Sequence, residues 1–296
     1  MVKVLKNSPS LIGRYKSLGL TFYRRGDEIV ARSSCKSQPT HQTTRQFRSR
    51  ERVRRIIALW SAFPATAKPV MDTPDGLIPY RAFQRINVGL PMVYLTRQQH
   101  KQGGAVLVPG LCVSAGQIDP VGYAFEALPD GQRLLVTSIA TGLPADITQP
   151  IPATTPKELS ALILDKGLNK GVRSDDVLRF YSLRQTVKHT DETDVPILNV
   201  ACADIPLIDD DHPFPFLEGH LLYTHRGFLA VACPDEGADA YAVALLAPRY
   251  HTASTQYILT TSTFHEAFTT DEALARAADS YGNVRDNYLT PEPQER

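Results

Sequence analysis

TTRQFRSRERVRRIIALWSAF, residues 43–63, is the stretch from which the fold class is read. Val53, Ile56, Ile57, Trp60 and Phe63 recur at steps of three and four, a period that lines one side of an α-helix and not a strand. Thr43 or Thr44 suits the N-cap, where a hydroxyl oxygen accepts from a free backbone amide. Pro64 ends the helix, because its ring disfavours helical geometry in the residue before it.

Outward from this helix the sequence changes period on both sides. Residues 18–34 read as a β-hairpin, with Leu18, Leu20, Phe22, Ile29 and Ala31 flanking a turn on Arg24-Arg25-Gly26-Asp27. Downstream, a loop over 71–76 leads to a second short helix from Tyr80 to about Val88, with Phe83 and Asn87 one turn apart. After Gln102, short apolar runs at 105–108, 134–139, 197–202, 221–223, 228–233, 241–246 and 257–259 are separated by Pro, Gly and Asp clusters. That spacing is expected of an antiparallel sandwich or barrel. Pro156–Leu164 reads as an intervening helix with Pro at its first position, and Thr270–Tyr281 as a terminal helix stopped by Gly282.

Helices and strands are thus segregated, and the expected fold is α+β. An N-terminal β-hairpin plus two-helix module is expected over residues 1–102, joined to a larger antiparallel β-sandwich-like domain with a C-terminal helix over 103–288, with 289–296 as a tail.

Charge follows the same division. The first 102 residues carry 19 Lys and Arg against 5 Asp and Glu, and the remainder 13 against 26, so a net +1 conceals two oppositely charged halves. Such asymmetry points to a partner surface, a nucleic acid or self-assembly. In the first long helix Arg45, Arg48, Arg52 and Arg55 lie at steps of three, four and three, broadened by Arg50 and Arg54 and offset locally only by Glu51. Like charges at this spacing cost a helix a few tenths of a kcal/mol per pair. The stripe therefore calls for something anionic against it, and three readings stand. It is a solvated face whose arginines pair with the acidic half of the chain, or a contact with an acidic protein surface, or a phosphate-binding face. Aromatic residues are not interleaved as they are where single-stranded bases stack, and Phe47 and Trp60 have better uses in the core.

Motifs that carry chemistry are not found. There is no G-x-x-x-x-G-K-[ST], no G-x-G-x-x-G and no G-x-S-x-G around Ser254 or Ser262. Cys35, Cys112, Cys202 and Cys233 are widely separated, with no C-x-x-C pair, and read as reduced, mostly buried thiols. Asp204 and Asp209-Asp210-Asp211-His212 form the densest acidic run; the prolines around it make a solvated loop the better reading than a cation site. The eight histidines are scattered. No cofactor and no metal are therefore expected. No stretch reaches the roughly 18 apolar residues of a membrane span, and Lys3, Lys6, Arg14 and Lys16 interrupt any secretory-type apolar core, so a cytoplasmic setting is expected.

One ordered set of residues has a counterpart elsewhere. Gly13, then Gly19 opening a strand with Tyr23-Arg24-Arg25-Gly26, then Val30-Ala31-Arg32-Ser33, form a first block. Thr43-x-x-Gln46-x-x-x-Arg50 with Val53 and Trp60 forms a second, and Tyr80-x-x-Phe83-x-x-x-Asn87 a third. In this order they resemble a group of uncharacterised bacterial and prophage-encoded proteins that share a glycine-rich hairpin, a T-x-x-Q-x-x-x-R helix and an F-x-x-x-N helix. The resemblance covers roughly residues 10–90; Val53 stands where that pattern has Phe, and the hairpin here has fewer glycines. It implies a structural or assembly component, virion-associated if phage-encoded, with no catalytic residues to carry over. Gln46, Arg50 and Asn87 are either helix-borne polar groups tied to neighbouring backbone or outward-facing binding groups.

The expectation is a non-enzymatic structural or interaction protein whose basic N-terminal module docks an acidic protein surface, that of the next copy included. The alternative is a nucleic-acid-binding protein using Arg45, Arg48, Arg50, Arg52, Arg54 and Arg55 on backbone phosphates.

Overall fold

The structure is a computed structural model; it describes residues 4–5, 13–15, 20–25, 28–33, 42–73, 77–213, 222–233, 238–247, 252–260 and 268–282. The fold is α+β. The chain forms two compact units, one taking in the described residues up to Thr44 and the other running Arg45–Gly282.

The first unit is an antiparallel sheet of β1 (Val4–Leu5), β2 (Gly13–Tyr15), β3 (Leu20–Arg25) and β4 (Glu28–Ser33), in the order β1-β4-β3-β2. Across the hairpin Arg25 pairs with Glu28 and Phe22 with Ala31. Its turn, Gly26-Asp27, lies outside the described residues. Phe22 and Val30 are buried.

The second unit is built on two antiparallel sheets. β10 (Val177–Lys188) and β11 (Val195–Pro206) pair along all twelve residues, and β14 (Ala238–Ala247) pairs with the other edge of β10. β15 (Thr252–Ala253) and β17 (Leu259–Thr260) complete this central sheet against β14. The second sheet runs β7 (Tyr123–Ala127), β8 (Arg133–Ala140), β13 (Phe228–Cys233), β12 (Leu222–His225), β9 (Thr148–Pro150). A small third sheet holds β16 (Gln256–Tyr257), β6 (Cys112–Ala115) and β5 (Val70–Met71), with β5 and β6 parallel.

Because strand side chains alternate between faces, the central sheet feeds two cores. Leu178, Phe180, Tyr241, Val243 and Leu245 turn toward Leu135, Ile139, Leu229 and Val231 of the second sheet and Leu159 and Ile163 of α4 (Pro156–Leu164). Tyr181, Leu183, Ala240 and Ala242 turn the other way, onto Ile56, Leu59 and Phe63 of α1 (Thr44–Ala62) and Phe83 of α2 (Pro79–Asn87). The unit is thus layered helix–sheet–sheet, which is why apolar runs rather than clean alternation marked several of its strands. Two shorter features complete the helical side. α3 (Arg97–Lys101) opens on a reciprocal Thr96–Gln99 capping box. α5 (Asp271–Tyr281) is capped by Thr270 and stopped by Gly282 at φ 63°, a conformation glycine adopts freely.

Three expectations need amending. The change of charge near Gly103-Gly104 falls inside the second unit, since α1 and α2 share one core with β10, β11 and β14; charge is a property of the surface and does not report which apolar faces meet. Residues 105–108 are buried but form no strand: the amide of Ala105 donates to Pro196 O (2.8 Å) and that of Leu107 to Gln185 Oε1 (2.8 Å). Finally, β10, the spine of the central sheet, was not among the apolar runs, because Arg179, Arg184 and Gln185 interrupt it.

Candidate docking surface on the arginine helix

The inward side of α1 is a four-residue repeat, Phe47, Glu51, Arg55, Leu59, Phe63, each no more than 4% exposed, with Ile56 beside it. Two of these five are charged, and each finds partners. The Glu51 carboxylate pairs with Arg54 one turn on and lies 3.0 Å from His100 Nε2 on α3. Arg54 in turn stacks its guanidinium 4.0 Å over the Tyr281 ring, and Phe47 meets the same ring edge-on at 5.8 Å. Glu51 therefore joins α1, α3 and α5.

Arg55 reaches the chain after α2. Its Nη1 donates to Leu90 O (2.8 Å) and to Pro91 O, and burial, with Arg52 nearby, lowers its guanidinium to about 10. A guanidinium remains charged at neutral pH even so. This removes Arg55 from any partner-facing set, and Arg54 is largely engaged by Glu51 and Tyr281.

Four arginines stay outside: Arg45, Arg48, Arg50 and Arg52 are exposed. Arg48 hydrogen-bonds the Tyr94 hydroxyl, whose pKa burial raises. Arg45, Arg50 and Arg52 make no ion pair or hydrogen bond among the described residues. Gln46 is exposed on the same helix. Val53 and Ile57, counted with the apolar face in the sequence, are 40% and 47% exposed, so Arg50, Val53 and Ile57 form an outward row at i, i+3, i+7. The correction has a simple cause: period shows which residues share a face, not which face is inside.

This row ends beside Trp60, whose ring meets Tyr80 at 5.6 Å and Phe83 at 5.2 Å on α2. There α2 exposes Ile78 (60%), Ile86 and Val88 alongside Arg81 and Arg85. Its inward side is fixed by Asn87, whose Nδ2 donates to Phe83 O and Cys112 O (both 3.0 Å) while Oδ1 accepts from Cys112 N (2.8 Å). At the end of α1, Lys68 Nζ donates to the free carbonyls of Trp60 (2.8 Å) and Phe63 (2.5 Å).

The other sequence candidates are dispersed. Asp209 and Asp211 lie 3.0 and 3.4 Å from Lys157 Nζ, Asp210 pairs with His212 at 2.7 Å, and all stand in solvent. Asp204 is gripped by Arg179 from β10 at 2.6 and 2.5 Å, so it belongs to the sheet and not to that loop. Burial pushes the thiols of Cys112 and Cys202 up to about 11 and about 12, the reverse of an activated thiolate. Among the described residues, no three His, Cys, Asp or Glu are grouped to hold a metal ion, and no helix is long and apolar enough to cross a membrane. His41, His220, His251 and His265 lie outside the described residues, as do Cys35 and Ser262.

Comparison of the chain with protein-family models, with curated proteins and with solved structures found no match.

Proposed function

We propose that this chain is a non-enzymatic structural or interaction protein, an assembly component of the kind its N-terminal resemblance implies. Its α1–α2 face docks the acidic surface of a second copy. The observation that carries the reading is the outward row Arg50, Val53, Ile57: apolar side chains stand exposed beside cations that make no ion pair among the described residues. Interfaces between proteins enrich arginine and bury apolar residues at their centre, while surfaces that track phosphates are more uniformly polar and cationic. The opposite charge balance of the later sequence, 26 acidic against 13 basic residues after Gln102, is what favours an identical chain as the acidic partner. Because the two patches differ, the contact is heterologous and can propagate head to tail.

The test separates apolar from cationic contributions. Val53→Ser with Ile57→Ser is expected to abolish self-association in sedimentation velocity while leaving any retention on a DNA column unchanged. Association that survives this double substitution but disappears when Arg45, Arg48, Arg50 and Arg52 become alanine, together with DNA retention lost in the same variant, would assign the face to phosphates instead.

A further inference from the structure

A cleft of about 660 Å³ opens at one end of the central sheet, within the range of small-molecule sites. Its walls come from four parts of the second unit: Asp72 after β5, Gln117 and Asp119 after β6, Arg173 and Asp176 just before β10, and Ala247 at the end of β14. The walls are tied by backbone hydrogen bonds from Asp72 N to Ala115 O (2.7 Å), Ile118 N to Ala253 O (3.1 Å) and Leu207 N to Asp176 O (2.8 Å).

Asp176 sets the character of the site. It is 1% exposed; Oδ2 accepts from Arg173 N at 2.8 Å, and Oδ1 has no hydrogen-bond partner among the described residues. A buried carboxylate oxygen with no donor is costly, and its desolvation raises the Asp176 carboxyl above the ordinary carboxylate value. Asp72 and Asp119 stand in the same cleft, and neither forms an ion pair among the described residues. Among the described residues of the lining, one cation, Arg173, stands against these three carboxylates.

We propose that this cleft binds a small organic cation, an ammonium or guanidinium group, which the three carboxylates Asp72, Asp119 and Asp176 hold jointly. A multi-donor organic cation fits better than a bare metal ion for two reasons. The three carboxylates are not grouped as metal ligands, and the cleft is many times larger than an ion requires. A guanidinium brings several donors in a plane and matches carboxylates bidentately. Asp176 supplies charge from beneath the floor, while Asp72 and Asp119 meet the ligand at the walls.

The test is isothermal titration of the full chain with agmatine, with a capped Ala-Ala-Arg-Ala-Ala peptide, and with uncharged 1,4-butanediol. Agmatine is expected to bind and butanediol not; binding of the peptide as well would assign the site to a basic side chain rather than a free amine. Asp176→Asn is expected to weaken binding about tenfold, because a charge buried beneath the floor is poorly screened by water. Asp119→Asn should weaken it about threefold and Arg173→Gln strengthen it about threefold, as suits exposed charges. These last two side chains are exposed, so they decide the matter even if Asp176→Asn fails to fold. The proposal is overturned if neither cationic probe binds, if butanediol binds as well as agmatine, or if the Asp119 and Arg173 variants bind like the parent chain.

Discussion

Glu126 Oε2 on β7 lies 3.1 Å from His225 Nε2 on β12, although β8 and β13 stand between those two strands. A flat sheet would keep two such side chains well apart, since neighbouring strands are spaced by about 4.8 Å. The second sheet must therefore coil strongly, bringing its first strand round toward its fourth. His225 also meets Thr148 Oγ1 of β9 at 2.7 Å through Nδ1, so one imidazole joins three strands. A carboxylate accepts only, which places a proton on Nε2 and leaves the Thr148 hydroxyl free to match Nδ1. Arg226, at φ 53°, adds its guanidinium to Glu126 at 3.3 Å from the hairpin turn.

His225 is 6% exposed, so its loss removes a buried imidazole and both of its side-chain contacts, although Glu126 keeps Arg226 and Thr148 stands exposed to water. His225→Ala is expected to lower unfolding stability by about 1–2 kcal/mol, from the two lost hydrogen bonds and the gap left by a buried ring. Urea denaturation followed by circular dichroism reads this directly. A midpoint equal to that of the parent chain would mean that the curl is held by backbone pairing alone.

The arginines of α1 divide into two classes with different expected phenotypes. Arg55→Ala leaves the Leu90 and Pro91 carbonyls without their donor and opens a gap beside Ile56 and Leu59, at a cost of about 2–4 kcal/mol. Arg50→Ala, on the exposed side, should stay within about 0.5 kcal/mol of the parent. Thermal unfolding of the two variants side by side makes the comparison, and equal losses would contradict the division.

That division also shows what the sequence could and could not say. The helix, its ends and its six arginines were readable from spacing, caps and Pro64. Which arginines face inward was not, because the inward repeat of Phe47, Glu51, Arg55, Leu59 and Phe63 includes two charges that an apolar pattern discounts. Their partners, His100, Leu90 and Pro91, lie 35 to 49 residues away and leave no local mark. β10 escaped notice for the same reason: Arg179 is acceptable in a sheet because Asp204 of β11 directly opposes it. The acidic cleft is the extreme case, since Asp72, Asp119 and Asp176 come from three separate loops.

Asp176 makes stability depend on pH with a definite sign. Its carboxyl is raised in the folded chain, so the native state holds that proton more tightly than the unfolded state. The stability it contributes is therefore present below the unfolded value, about 4, and is lost as pH rises through the folded one. Asp176→Asn is expected to melt higher than the parent at pH 7 and to lose that advantage below about pH 4. Melting curves for both proteins across this range test it; an Asn variant less stable at pH 7 would contradict the sign.

Gly116 has a steric rather than conformational reason to be glycine. A Cβ there would stand 1.9 Å from Ala253 O, and backbone cannot yield as a flexible side chain can. Gly116→Ala should cost about 3 kcal/mol or more, by forcing β15 away from the segment after β6. Hydrogen exchange is expected to show faster exchange at Ile118, whose amide donates to Ala253 O; unchanged protection there would contradict the close approach.

Light scattering on nuclease-treated protein across a salt series bears most directly on the docking face. Self-association that is strong at low salt, weakens as screening shortens to about 8 Å at physiological ionic strength, and vanishes when Arg45, Arg48, Arg50 and Arg52 are changed to Glu is the expected result. A monomer at every salt and concentration, or oligomers indifferent to those four substitutions, would contradict it.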